Sequence, residues 1–444
     1  MEEQRNKKDL EMERREERRK RRQRNQIIVY TVMLLLVALT AFGVVSLVSA
    51  ISNRNTEQEV EQQQSVQDST QSALDELMST EEELPPVSQE VVELTPEQKL
   101  EEIVNAAIEV MPIEDKIAGL FFVSPESITG VKTVTKAGEG TKTALEKYAV
   151  GGIVYQAKNI KDADQFKEML NNTELWSKYR LFLGVEQDLG DNGPLVEKGL
   201  METTLTPKEL AATGDAAVAL STGDKLGESL SSYGLNVNFA PLADLSGEKG
   251  YLDGAVYLSD NIVLNSAFST GLATGMKNQG VIGCLKYFPG SGSAKKVAEG
   301  DMIHSEQSLE DFMTKDFEMY RNAIASGVDM IMVGSFSAEA LTGDRTPCAL
   351  SQTVVTEYLR GELGYQGIIV TDFLNQKSIT SYYESDVAAV MALKAGCDML
   401  LAPEDFEKAY QGVKEAVDNG SISVQRIDDA LRRIYRVKFA DSVQ

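Results

Sequence analysis

From about residue 119 onward, short apolar runs recur along the chain, separated by longer stretches in which apolar and polar residues alternate at helical spacing. The runs are GLFFV (119–123), GGIVY (151–155), LFLGVE (181–186) and NVNFAPLAD (236–244). VIGCLKYF (281–288), DMIMVG (329–334), GIIVTD (367–372) and DMLLAP (398–403) follow. Continuous rather than alternating apolarity suits strands buried on both faces of a parallel sheet. Between them, DADQFKEMLNNTELWSKY, SLEDFMTKDFEMYRNAIASG and SQTVVTEYLRGELG read as helices. Upstream, TPEQKLEEIVNAAIEVM opens with Thr95 as a cap and Pro96 at the first helical position. Eight strand–helix units predict an α/β fold, a (β/α)8 TIM-type barrel with long loops, over residues 96–444. A doubly wound open sheet is the alternative, because strand count alone does not close a barrel.

The pattern ahead of this domain is different. Residues 1–26 are charged throughout and turn basic at RRKRRQR (18–24), whereas residues 27–51 carry no charge. As a helix the apolar run is about 37 Å long, enough to cross a hydrocarbon core of roughly 30 Å. Basic residues on its N-terminal side predict a single transmembrane helix with a cytoplasmic N-terminus and an extracytoplasmic domain at the cell membrane. A cleaved signal peptide ending near Val48-Ser49-Ala50 is the rival. Residues 52–95 are rich in Gln, Glu, Ser and Thr and read as a disordered acidic polar linker.

Charge removes one class of partner. With 44 Lys and Arg against 68 Asp and Glu, the net charge is −24, which argues against binding nucleic acid. The single histidine, His304, and the three cysteines, Cys284, Cys348 and Cys397, fall at no metal-ligand spacing, so neither metal nor cofactor is expected. Each cysteine lies in or beside an apolar stretch and reads as a buried, unpaired thiol.

Barrel enzymes place their chemistry at the C-terminal ends of the strands. Those ends carry Glu186, Gln187 and Asp188 after the third run, Asp244 after the fourth, and Lys286 and Tyr287 in the fifth. Ser335 follows the sixth and Asp372 ends the seventh. Carboxylates from several strands converging on one mouth suit acid/base or nucleophilic chemistry. Asp244 reads more readily as a residue that hydrogen-bonds a loop, and Asp372, directly after GIIVT, as a functional one. No phosphate-binding loop and no G-x-S-x-G elbow is present, which leaves carboxylate chemistry.

Residues 98–440 resemble glycoside hydrolase family 3, in its single-domain β-N-acetylhexosaminidase branch. YAVGGIVYQAKNIKDADQFKEM, LGVEQDLG and GLNVNFAPLADL are similar to three of that family's strand motifs. LRGELGYQGIIVTDFLN matches the segment around its catalytic aspartate, and AGCDMLLAPEDFEKAYQGVKEAVDNGSISVQRIDDALRRI its C-terminal unit. The resemblance implies a retaining hydrolysis of terminal β-linked sugars, with Asp372 as nucleophile. It also implies sugar binding by Glu186 and Lys286, with Asp188 and Tyr287 beside them, and a carbohydrate as partner.

Several positions depart from the family pattern. KYFPGSGS (286–293) stands where the family has Lys-His-Phe-Pro-Gly-His-Gly, so Tyr287 and Ser291 replace two imidazoles. The family's Asp-x-His acid/base pair counts onto Val297 and Glu299, and Ala255 stands where a substrate arginine is expected. Glu299 is then the candidate general acid, with Asp301 and His304 as a shifted alternative. Two readings follow: an active, membrane-anchored glycosidase, or a catalytically impaired member that binds glycan or a partner protein.

Overall fold

The computed structural model describes residues 94–245, 258–296 and 302–443, with the Lys296 and Val443 side chains left aside. They belong to one compact unit, Glu93–Gln444. The apolar run 27–51 and the linker 52–93 lie outside the described residues, as do Ala255, Val297, Glu299 and Asp301. Among the described residues no helix is long and apolar enough to cross a membrane.

Eight parallel strands form the core: β1 (Phe121–Val123), β2 (Gly152–Val154), β3 (Phe182–Val185), β4 (Val237–Asn238), β5 (Ile282–Phe288), β6 (Met330–Val333), β7 (Ile368–Thr371) and β8 (Leu400–Leu401). Their order in the sheet is β8-β1-β2-β3-β4-β5-β6-β7. The two ends of that order meet at a parallel bridge between Val370 and Met399, supported by Thr371 N–H donating to the Met399 carbonyl at 3.0 Å. That contact all but closes the sheet into a barrel and decides against the open doubly wound alternative. All eight apolar runs contain a strand of this sheet. Buried on both faces, these strands need no polar alternation, which is why their runs are continuous.

Aromatic side chains fill the lumen. Phe122 on β1 meets the Phe239 ring edge-on at 5.0 Å between centroids, and Phe239 meets Phe373 at 6.3 Å. Room for Phe122 comes from the neighbouring strand: a Cβ added at Gly152 would lie 2.7 Å from its ring. On the outside, Phe121 packs edge-on against Phe406 of the helix Phe406–Asp418.

The helices begin where their caps place them. Thr95 Oγ1 accepts from Gln98 N–H at 3.2 Å, and Gln98 Oε1 accepts from Thr95 N–H at 2.8 Å. This reciprocal pair satisfies two amides that the first turn of Pro96–Glu109 leaves free. DADQFKEMLNNTELWSKY supplies the helix Ala163–Trp176, whose N-cap Asp162 accepts from Gln165 N–H at 2.9 Å. SQTVVTEYLRGELG is wound more widely than expected, as a π-helix from Thr353 to Glu362. All three cysteines are buried and unpaired.

Candidate active site

The strand ends nominated by the sequence converge on the C-terminal mouth of the barrel. β5 shifts register against β6 between Leu285 and Phe288, and the Lys286–Tyr287 and Phe288–Pro289 peptide bonds are cis. Lys286 Nζ lies 2.5 Å from Glu186 Oε1 and 3.0 Å from Asp188 Oδ2. Tyr287 O–H donates to the same Glu186 oxygen at 3.3 Å. Burial works against the lysine charge, but Asp188 and Glu186 outweigh it and raise the Lys286 pKa. Lys286 is therefore a fixed cation at neutral pH. Burial raises the Asp188 carboxyl, with Lys286 opposing and Glu186 adding to the rise.

Glu186 and Asp188 flank a residue that sets their position. Gln187 N–H donates to Asn238 Oδ1 at 2.9 Å, and Asn238 Nδ2 donates back to the Gln187 carbonyl at 2.9 Å. The Gln187 side chain turns away from the mouth and accepts from Leu195 N–H at 3.0 Å. Asn238 was not nominated by the sequence. Its signal was a polar residue in the middle of the apolar run NVNFAPLAD.

Asp372 stands at the end of β7 and is 5% exposed. Its Oδ1 accepts from Phe373 N–H at 2.7 Å and from Gln376 Nε2 at 2.9 Å, whereas Oδ2 takes one long bond, 3.3 Å, from Ser335 N–H. Oδ2 is therefore the less engaged oxygen. Burial pushes the carboxyl up to about 7; Glu186 adds to this, while the Phe373 and Ser335 amides and Lys286 oppose it. Gln376, four residues on in TDFLNQ, also went unnominated.

Asp244 serves the loop, as expected. Its Oδ1 accepts from Tyr287 N–H at 3.0 Å, and its Oδ2 accepts from Ser291 N–H at 3.0 Å and from the Ser291 hydroxyl. A second buried carboxylate, Asp316, supports the same loop. Gly290, at φ +133°, lies so close that an added Cβ would sit 2.2 Å from Asp316 Oδ1. Gln307 links the two layers, donating from Nε2 to Asp316 and accepting from Ser293 Oγ at 3.0 Å. Burial lifts Asp244 to about 6 and Asp316 to about 7. Asp316 was hidden from sequence reasoning because it lies inside a stretch read simply as helix.

A short antiparallel hairpin, Lys295–Lys296 with Ile303–His304, carries the connection that contains Glu299 and Asp301. It is docked on the loop after β6: Ser337 N–H donates to the Ile303 carbonyl at 2.9 Å and Ser305 N–H to the Ser337 carbonyl at 2.8 Å. His304 Nδ1 lies 2.9 Å from Ser337 Oγ, so the chain's single imidazole is engaged by a serine. Among the described residues no group of three or more His, Cys, Asp and Glu side chains is placed to hold a metal ion.

A barrel that gathers carboxylates, a fixed ammonium and a phenol at its C-terminal mouth is built to bind a polyhydroxylated ligand. Comparison gives the family: residues 112–437 match the glycosyl hydrolase family 3 N-terminal domain, and the chain belongs to that family. An uncharacterized secreted glycosyl hydrolase of Arthroderma benhamiae is 29% identical over 308 residues, 64% of this chain and 83% of that protein. β-Hexosaminidase A of Pseudoalteromonas piscicida is 24% identical, over 66% of this chain and 54% of its own length. The β-hexosaminidase of Nitrosomonas eutropha is 27% identical, over 62% and 80%. Among solved structures, a family 3 β-N-acetylglucosaminidase from Paenibacillus sp. str. FPU-7 superposes with a TM-score of 0.67 at 26% identity, covering 75% of this chain and 63% of that one.

Proposed function

We propose that the domain is a β-N-acetylhexosaminidase-like glycoside hydrolase that removes terminal β-linked sugars through a covalent intermediate on Asp372. The observation that carries this reading is the asymmetry of that carboxylate. Oδ1 is fixed by two donors, while Oδ2 keeps a single long bond and capacity to spare. Oδ2 attacks the anomeric carbon, the bond from that carbon to the leaving oxygen breaks, and a glycosyl ester forms; water then hydrolyses the ester. Glu186, Asp188, Lys286 and Tyr287 hold ring hydroxyls, the carboxylates accepting and the ammonium donating. Glu299, on the connection between the hairpin strands, protonates the leaving group. The relatives named as hexosaminidases and the β-N-acetylglucosaminidase neighbour support the sugar class. The apolar run 27–51 behind a basic leader supports a membrane anchor, and the secreted relative supports an extracytoplasmic site of action.

A second reading, a glycan-binding member with little turnover, is favoured by His304 and Ser291, which are engaged by Ser337 and Asp244. Without an efficient general acid, hydrolysis loses about 10²–10⁴-fold on substrates whose leaving group needs a proton. Assay of the full chain on p-nitrophenyl and methyl β-N-acetylglucosaminides separates the two. Release of p-nitrophenol alone supports the impaired member; release of methanol as well, abolished by Asp372→Asn, supports the hydrolase. No release from either glycoside at any pH from 5 to 8 overturns it.

A further inference from the structure

A cavity of about 260 Å³ lies behind the loop that carries Asp188. Leu226 and Leu272, from the paired helices Ala216–Ser231 and Ile262–Asn278, form its walls together with Leu242, Leu258 and Met276. All five are at most 6% exposed. Its rim is polar and open to water, with Asn192 and Lys208 exposed on it. Protein interiors rarely leave a void larger than a water molecule, and a pocket with apolar walls and a polar rim suits a ligand whose apolar part displaces the water inside. At about 30 Å³ for each water-sized group, the space takes roughly eight heavy atoms.

The location defines what enters. Asp188 belongs to both sites: its Oδ2 pairs with Lys286 in the mouth, and the residue also lines the cavity. Asp372 does not line it. The cavity thus adjoins the sugar site on its Lys286–Asp188 side rather than its Asp372 side. We propose that this cavity binds an acyl chain of about six to eight carbons carried on the sugar ring, as an amide or an ester, so that the domain selects acylated sugars. The proposal rests on the sugar-site reading above. Apolar walls recognise the chain by removing its methylenes from water, and the polar rim leaves the carbonyl hydrated.

Calorimetric titration of the full chain tests this with monosaccharides that need no turnover: N-acetylglucosamine, its N-hexanoyl analogue and 6-O-hexanoyl-N-acetylglucosamine, with phenyl β-N-acetylglucosaminide titrated into the Asp372→Asn variant. Four added methylenes predict about 100-fold tighter binding for one of the two hexanoyl sugars, which identifies the acylated position, and no comparable gain for the phenyl glycoside. Leu226→Trp and, independently, Leu242→Phe fill the space; each should bring the hexanoyl advantage within about twofold while N-acetylglucosamine affinity is unchanged. Equal binding of acetyl and hexanoyl sugars, or an advantage that survives both variants, overturns the proposal. If no sugar binds, 1-hexanol decides what remains. A rise in Tm for wild type that Leu226→Trp lacks keeps an apolar site and refutes the sugar reading and the acyl-sugar assignment; no rise refutes the cavity as a site at all.

Discussion

Replacing Lys286 by Met keeps the length of the side chain and removes the one cation between Glu186 and Asp188. Lys286 is 3% exposed at its side chain, Asp188 23% and Glu186 35%. Breaking a fully buried pair by removing one partner costs about 3–5 kcal/mol, because the remaining charge is left in low dielectric. Glu186 is more than a third exposed and keeps part of its hydration, so its share is discounted and the expected loss is about 2–3 kcal/mol at pH 7.5. The loss should depend on pH. Without the ammonium, the Asp188 carboxyl, already raised by burial, rises further above its unfolded value. The variant then binds its proton more tightly when folded than when unfolded, and its stability falls more steeply than that of wild type as pH climbs from 5 to 8. The gap should therefore be largest at pH 8 and narrow toward pH 5. Guanidinium unfolding of wild type, Lys286→Met, Asp188→Asn and the double variant at pH 5, 7.5 and 8 gives the cycle. A coupling energy of about 2 kcal/mol at pH 7.5 is expected, with the double variant more stable than Lys286→Met alone. A Lys286→Met loss below about 0.5 kcal/mol with additive single effects would refute the fixed-cation account.

Three further outcomes follow from the same geometry. Asp244→Ala leaves the part-buried Tyr287 and buried Ser291 amides without an acceptor, at about 1–3 kcal/mol each, so chemical denaturation should show a loss of about 2–6 kcal/mol together with weakened sugar binding. Gly152→Ala drives a methyl into the Phe122 ring and should cost about 1–3 kcal/mol in the same assay, with no change in the pH dependence of stability. Asp316 and Asp372, both lifted to about 7 by burial, hold protons in the folded chain that the unfolded chain has released, so stability contributed near pH 4 is lost as pH rises toward 7; Asp316→Asn should flatten part of that slope in unfolding midpoints measured between pH 4 and 8.

The strands were legible because each is sealed between lumen and helices and so leaves an uninterrupted apolar run. Closure was not legible, since it rests on one bridge, Val370 to Met399, between two short strands. The residues at the mouth were readable by position: Glu186 and Asp372 end an apolar run, Asp188 follows one, and Lys286 and Tyr287 lie near the end of one. The residues that hold them were harder to find. Asn238 works from inside a strand on the backbone of Gln187, Asp316 lies beneath a glycine loop distant in sequence, and Gln376 reaches Asp372 from a loop only four residues further on. KYFPGSGS shows the difference well. Its missing imidazoles were evident in the sequence, whereas its support by Asp244 and Asp316 depends on pairing across 47 residues for Ser291 and on a close approach for Gly290.

The role of Asp372 is tested most directly by exposing the full chain to a 2-deoxy-2-fluoro glycosyl donor with an activated leaving group, and locating the label by mass spectrometry. The account predicts a stable glycosyl ester on the Asp372 peptide and none in Asp372→Asn. Its rate of formation should rise with pH through about 7 as that carboxyl ionises, then level off. Labelling of another carboxylate, or no label across that pH range, would contradict the central claim that Asp372 is the nucleophile of this barrel.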